Sequence, residues 1–205
     1  WQNALHAQDL EPRRWSHLPT GQNIVGLGYI YSDAFVYFNP VFKITNANAN
    51  INSLGLSAIH TFSLGGKSAR FSLQLPYQSG RWEGMLDDRH QVIRRRGVGD
   101  PRLRLSVNLY GAPALKGKEF LQYRAENENN TVVGASLAIT MPLGQYYEDR
   151  LINIGHNRWS VRPQIGLVHT NGPWSFELTG SAFLFGNNNS FLDQAVLKQD
   201  GVYAL

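Results

Sequence analysis

The feature that most constrains this chain is a strict two-residue alternation held over unusually long runs. From Ala69 to Gln78, the apolar or aromatic Ala69, Phe71, Leu73, Leu75 and Tyr77 alternate with Arg70, Ser72, Gln74 and Gln78, broken only by Pro76. From Asp100 to Tyr110, Leu103, Leu105, Val107 and Leu109 alternate with Arg102, Arg104, Ser106 and Asn108. From Arg158 to His169, Trp159, Val161, Pro163, Ile165 and Leu167 alternate with Arg158, Ser160, Arg162, Gln164 and Gly166. Successive side chains of a strand point to opposite faces, so each run predicts a strand with one apolar and one polar face. Looser runs follow the same rule around Gln22–Ser32, Ser53–Leu64, Val133–Met141 and Trp174–Ala182, and an eighth begins near Gly201.

Length decides between two kinds of sheet. These runs extend for about ten residues, the span that a tilted strand needs to cross a bilayer, whereas strands of soluble sheets average about five or six. Charged residues make up 17% of the 205-residue chain, below the roughly 25% of an ordinary soluble domain. Mean hydropathy is nevertheless only −0.30, and no stretch approaches the roughly 18 apolar residues of a membrane-spanning helix. Membrane strands hide their hydrophobicity in just this way. A soluble β-sandwich is the competing architecture.

The connections point the same way. Leu64-Gly65-Gly66-Lys67-Ser68 and Thr170-Asn171-Gly172-Pro173 are short and turn-like, while Asp33–Asn50, Ser79–Gly99, Leu143–Asn157 and Gly186–Asp200 are long and polar. Short turns at one end and long loops at the other are the asymmetry of outer-membrane barrels, with the long loops outside the cell. Gly111–Asn130 is long but falls on the short-turn side, and helix formers predict a short helix over Lys116–Glu126. Tyr29, Tyr31, Phe62, Tyr77, Trp159 and Trp174 lie toward run ends on the apolar parity, as interfacial aromatic girdles do.

The expected fold is therefore all-β: an antiparallel transmembrane barrel of the bacterial outer membrane, with about eight strands here and ten to twelve expected in the full protein. Ala4-Leu5-His6-Ala7 before Gln8 fits the small-x-small end of a signal peptide, which makes residues 1–7 its remnant and 8–205 a barrel incomplete at its C-terminus.

The polar parity carries the candidate site. Arg70, Gln74, Arg102, Arg104, Arg158, Arg162, Gln164 and Glu177 share it. An arginine facing lipid at the midplane costs about 2–4 kcal/mol, so these side chains are expected to line the lumen. There they would favour anions such as carboxylates, stack on aromatic rings, or tie the strands together as a plug. The net charge of +4 suits an anion-attracting lumen or rim. The Ser79–Gly99 segment holds Arg81, Glu83, Asp87, Asp88, Arg89, His90, Arg94, Arg95 and Arg96, a basic run that could meet lipopolysaccharide phosphates or simply be solvated.

Other chemistries find less. The chain has no Cys, which excludes a disulfide framework and a thiolate metal site. The six His lack metal-ligand spacing, and neither metal nor other cofactor is expected. Gly97-Val98-Gly99-Asp100-Pro101 has the glycines of a phosphate loop but no helix pattern after it. Basic residues spread over alternating strand positions do not make a nucleic-acid patch. His60 with Ser57 or Ser63 leaves an outer-wall lipid hydrolase as a minor alternative, without a Gly-x-Ser-x-Gly elbow.

Several segments together carry a family likeness. The densest runs from Gly97 through Gly99-Asp100-Pro101 to Tyr110-Gly111-Ala112-Pro113-Ala114-Leu115. Pro142-Leu143-Gly144-Gln145-Tyr146, Leu151-Ile152-Asn153-Ile154-Gly155, Asn157-Arg158-Trp159-Ser160, Leu75-Pro76-Tyr77, Gly172-Pro173-Trp174 and Asp9-Leu10-Glu11-Pro12-Arg13 add to it. In these the chain resembles the outer-membrane transporters named for the meta pathway of phenol degradation. The resemblance implies an outer-membrane barrel passing small aromatic or hydrophobic compounds. Taken with the residues, it leads us to expect a non-enzymatic protein whose partners are outer-membrane lipid, lipopolysaccharide and a small solute. It brings no catalytic or binding residues with it. A plugged structural or surface-interaction barrel is the alternative.

Overall fold

The computed structural model describes residues 14–37, 43–87, 89–192, 195–198 and 201–204. The expected signal-peptide remnant and the Asp9–Arg13 segment lie outside them. The alternating runs form strands β1 (Asn23–Phe35), β2 (Ile44–Leu64), β3 (Lys67–Leu86), β5 (Arg102–Tyr110), β6 (Asn130–Thr140), β7 (Ser160–Asn171) and β8 (Trp174–Phe185), and β4 (Arg89–Val98) forms within the expected Ser79–Gly99 loop. The short β9 (Asn188–Phe191), β10 (Ala195–Leu197) and β11 (Val202–Ala204) follow. Nine strands make one antiparallel sheet in the order β1-β2-β3-β5-β6-β7-β8-β11, with β4 beside β3, and β9 pairs with β10 in a separate ribbon. The sheet curls into a half-barrel. Among the described residues, no helix is long and apolar enough to cross a membrane.

The pleat sorts the side chains as the alternation predicts. In β5 the polar Arg104, Ser106 and Asn108 are buried, while Leu105 and Leu109 are exposed. In β7, Arg162 and Gln164 are buried, while Ile165 and Leu167 are exposed. Water-soluble sheets do the reverse; a polar interior with an apolar exterior is the pattern of a wall facing lipid. From Lys67 to Tyr77 the outward positions of β3 span roughly 33 Å of strand. A tilt of about 40° reduces that to about 25 Å, the height of an outer-membrane apolar band. Tyr29, Leu54, Tyr77 and Val98 sit side by side at its upper rim, and Trp174 marks its lower edge beside Asn171.

The two ends differ in their connections. Gly65 and Gly66 turn β2 into β3 with φ of +57° and +74°, the left-handed pair that a two-residue hairpin needs. At the same end the link between β5 and β6 contains α1 (Gly117–Glu126), as the helix formers predict.

At the opposite end two expected loops are largely strand. Within Asp33–Asn50, β1 runs on to Phe35 and β2 begins at Ile44, and within Ser79–Gly99 lie the top of β3 and β4, paired from Tyr77–Val98 to Leu86–Arg89. Above the lipid band both faces meet water, so the backbone ladder persists without apolar alternation and leaves no period-two signal. Gly186–Asp200 likewise contains the β9–β10 ribbon, whereas Leu143–Asn157 contains no strand.

Strands β4 and β5 are one strand interrupted at Gly99-Asp100-Pro101. Opposite β3, the register passes from Tyr77–Val98 to Gln74–Arg102, an extra residue on the β4–β5 side, which is a bulge. The bulge turns Asp100 inward. Its carboxylate accepts the Gly144 N–H at 2.9 Å and the His156 N–H at 2.8 Å, and His156 Nδ1 lies 2.9 Å from it. The 143–157 segment is thereby clamped to the sheet.

Candidate functional site

The concave face is organised as cross-strand rows, because a common register brings one inward side chain from each strand to the same level. Thr61, Arg70, Ser106, Ser136, Gln164 and Ser181 form one row. Two residues further toward the long-loop end, Ser72, Arg104, Ala138 and Arg162 form the next. Ser57, Gln74, Arg102, Thr140, Ser160 and Phe185 form the third.

Seven of the eight candidate residues thus gather on one wall. Arg158 lies just before β7, with its guanidinium 4.8 Å from the Phe185 ring centre. Glu177 is the outlier: it stands on β8 beside Val168, below the rows. The arginines are held rather than dangling. Arg162 donates to Ser181 Oγ at 3.2 and 3.3 Å and lies 4.2 Å over the Phe183 ring. Arg102 Nε reaches Thr140 Oγ1 at 3.4 Å. Phe183 and Phe185 stack with ring centres 6.1 Å apart. Guanidinium groups beside aromatic faces in a partly dry space attract anions and also offer flat surfaces to rings.

Periodicity does not reveal what fills the lower half of this face. Residues 14–20, ahead of β1, lie along it. Trp15 is fully buried, with Ala112, Val132 and Val168 in its cluster. Its indole occupies a hollow over Gly134 and Gly166, where any Cβ would overlap it. Trp15 Nε1 donates to Thr179 Oγ1 at 2.8 Å, and Arg14 donates to Gln164 Oε1. Between Ser16, Leu18 and the wall at Arg70, Ser106 and Asn108 only about 10 Å³ is left, roughly the room of a single water.

His17 extends the contact to α1. Its Nε2 lies 2.7 Å from the Pro113 carbonyl, and its ring meets Phe120 and Tyr123 edge-on. Burial lowers the His17 pKa and the Arg124 charge adds to this, while the bond to Pro113 partly opposes both. The only sequence signal for this docking is glycine at two inward positions, Gly134 and Gly166, on strands that prove to be neighbours.

The hydrolase alternative has no geometry behind it. His60 lies on the outward face of β2, 2.7 Å from Asn23 Oδ1, whereas Ser57 and Ser63 alternate onto the other face and Ser57 donates to the Gly26 carbonyl. Nucleophile and base on opposite faces of a strand cannot share a proton.

Comparison with known proteins bears on the family and the fold. The family described as "Putative MetA-pathway of phenol degradation" matches residues 27–200. The chain belongs to this family. Among solved structures, this phenol-degradation family chain is similar to an outer-membrane channel from Pseudomonas putida F1, at 23% identity and a TM-score of 0.64. The likeness covers 92% of the chain and 67% of that channel. At this identity it speaks for the fold, an antiparallel β-barrel wall. No curated protein matches the chain.

Proposed function

We propose that the protein is a passive channel of the bacterial outer membrane for small aromatic or hydrophobic compounds, with acidic ring compounds as the favoured class. The observation that carries this reading is the arginine wall against phenylalanine. Arg162 over Phe183 and Arg158 over Phe185 give a flat, positively charged surface on the concave side, continued by Arg102 and Arg104. An aromatic carboxylate would place its ring against such a surface and its charge against a guanidinium. The family's pathway name and the Pseudomonas channel support the same reading. Arg70, Gln74, Gln164 and Glu177 would complete the solute path.

The test is uptake of labelled benzoate and labelled phenol by cells with and without the full-length gene. A channel accelerates uptake, and R104Q/R162Q removes the preference for benzoate while leaving phenol entry unchanged. Equal uptake with and without the gene, with the protein confirmed in the outer membrane, would reject it.

One observation favours a second reading. Trp15 and Arg14 seat the 14–20 segment firmly on the wall, which suits a plugged barrel acting through its surface. That reading expects no conductance in a planar bilayer.

A further inference from the structure

The basic run of β4 is divided by the pleat, and the division points to a partner. Arg95 turns inward, its Nε 3.3 Å from the Ile152 carbonyl, where it helps to hold the 143–157 segment. Arg94 and Arg96 alternate onto the outer wall and are exposed. They share that face with Val98, which pairs with Tyr77, and with Arg81, which pairs directly with Arg94.

Three consecutive outward rows cross the rim here. The first is Tyr29, Leu54, Tyr77 and Val98; the second is Tyr31, Asn52, Ser79 and Arg96; the third is Asp33, Asn50, Arg81 and Arg94. Rows are about 7 Å apart along the strands. The arginines therefore stand one and two rows above the aromatic rim of the apolar band, at headgroup height, and on the lipid side rather than in the lumen.

This arrangement is unfavourable without an anion. Arg81 and Arg94 are like charges directly opposite one another, which destabilises a strand pair. Glu83 meets Arg81 at 2.7 Å, but among the described residues neither Arg94 nor Arg96 has an acidic partner. Arg96 pairs with Ser79, and Asn52 stands one strand beyond it in the same row; both are neutral donors. Three guanidiniums with hydroxyl and amide donors, on the outer wall just above the lipid band, form a phosphate-binding surface.

We infer that Arg81, Arg94 and Arg96 form a docking surface for the phosphorylated sugar headgroup of lipopolysaccharide, packed against the outer wall at the long-loop end. The inference rests on the outer-membrane reading. The orientation rule for long loops puts this end in the outer leaflet, where the phosphates belong to that glycolipid rather than to phospholipid. Fork-shaped guanidiniums would take the phosphate oxygens in pairs while Tyr77 and Val98 meet the first acyl carbons.

The experiment is purification of the full-length protein from outer membranes in mild detergent, with lipid A phosphate counted per chain. Wild type, R94Q/R96Q and a control at the other end, K118Q/R124Q, are compared, with heat-modifiable gel migration reporting the folded barrel. Wild type and control are expected to retain lipid A, and R94Q/R96Q to lose about tenfold or more. In nanodiscs, lipid A with two phosphates should compete better than the monophosphorylated form, phosphatidylglycerol or inorganic phosphate. Equal retention by folded R94Q/R96Q overturns the inference, as does equal competition by phosphatidylglycerol. If R94Q/R96Q does not fold, the single variant R94Q decides by the same count. Wild type found outside the membrane fraction would overturn the outer-membrane reading itself, an outcome recorded before any lipid is counted.

Discussion

Gly134 and Gly166 face each other across β6 and β7, and the Trp15 indole fills the space that their missing side chains leave. Neither glycine has the positive φ that would demand it for backbone reasons. Their role is room. W15A should therefore free the 14–20 segment at a cost of about 3–5 kcal/mol in its docking, the range for losing a buried tryptophan. G166A should have the same effect from the other side. Single-channel recording is the check: both variants should pass more current than wild type, and an unchanged conductance would remove the segment from the path.

Asp100 is the second anchor. Its carboxylate accepts the Gly144 and His156 amides and lies within hydrogen-bond distance of the His156 ring, so one side chain holds the 143–157 segment at three points. At neutral pH, D100N should leave a buried donor unmatched and cost about 1–3 kcal/mol. Hydrogen exchange at the Gly144 and His156 amides reads this: protection should collapse in D100N and persist in wild type.

His17 makes the opposite end sensitive to pH. Its pKa is depressed, chiefly by burial, so the folded state binds fewer protons than the unfolded state below about 6.5. Docking of the 14–20 segment against α1 should be complete above that pH and weaken as pH falls below it. The amides of α1 should exchange faster at pH 5 than at pH 7.5 in wild type, and H17N should abolish the difference.

The Arg162–Phe183 contact can be measured by a double-mutant cycle. A partly desolvated guanidinium over a ring is worth about 0.5–2 kcal/mol. R162Q and F183L should each destabilise the barrel in urea unfolding, and together by less than their sum. Strict additivity would mean that the two side chains do not interact.

Much of the wall can be read directly from the residues. Alternation at Phe71, Leu73 and Leu75, or at Leu103, Leu105 and Val107, survives because lipid and lumen select opposite side chains at every step. The helix over Gly117–Glu126 is legible for a similar reason, since its formers override any β pattern. The upper hairpins are not: at Arg81 and Arg94 both faces are wet, and no period remains. The seat of Trp15 is hidden more deeply. It depends on Gly134 and Gly166 becoming neighbours, a fact of register between strands separated by a long connection. Among the candidate residues, the polar parity identifies the wall, but not the phenylalanines that share it, because Phe183 and Phe185 break the expected polar-inward rule.

The inward rows also set a step length. Above the level of Arg70, which the 14–20 segment covers, Arg104 and Arg102 stand at successive levels, about 7 Å apart along the strands and thus within a Debye length of one another at physiological salt. An anion moving along this wall would meet each guanidinium before leaving the field of the last. Such a path would spread its attraction over neighbouring levels and work as a graded slide rather than as a single binding site.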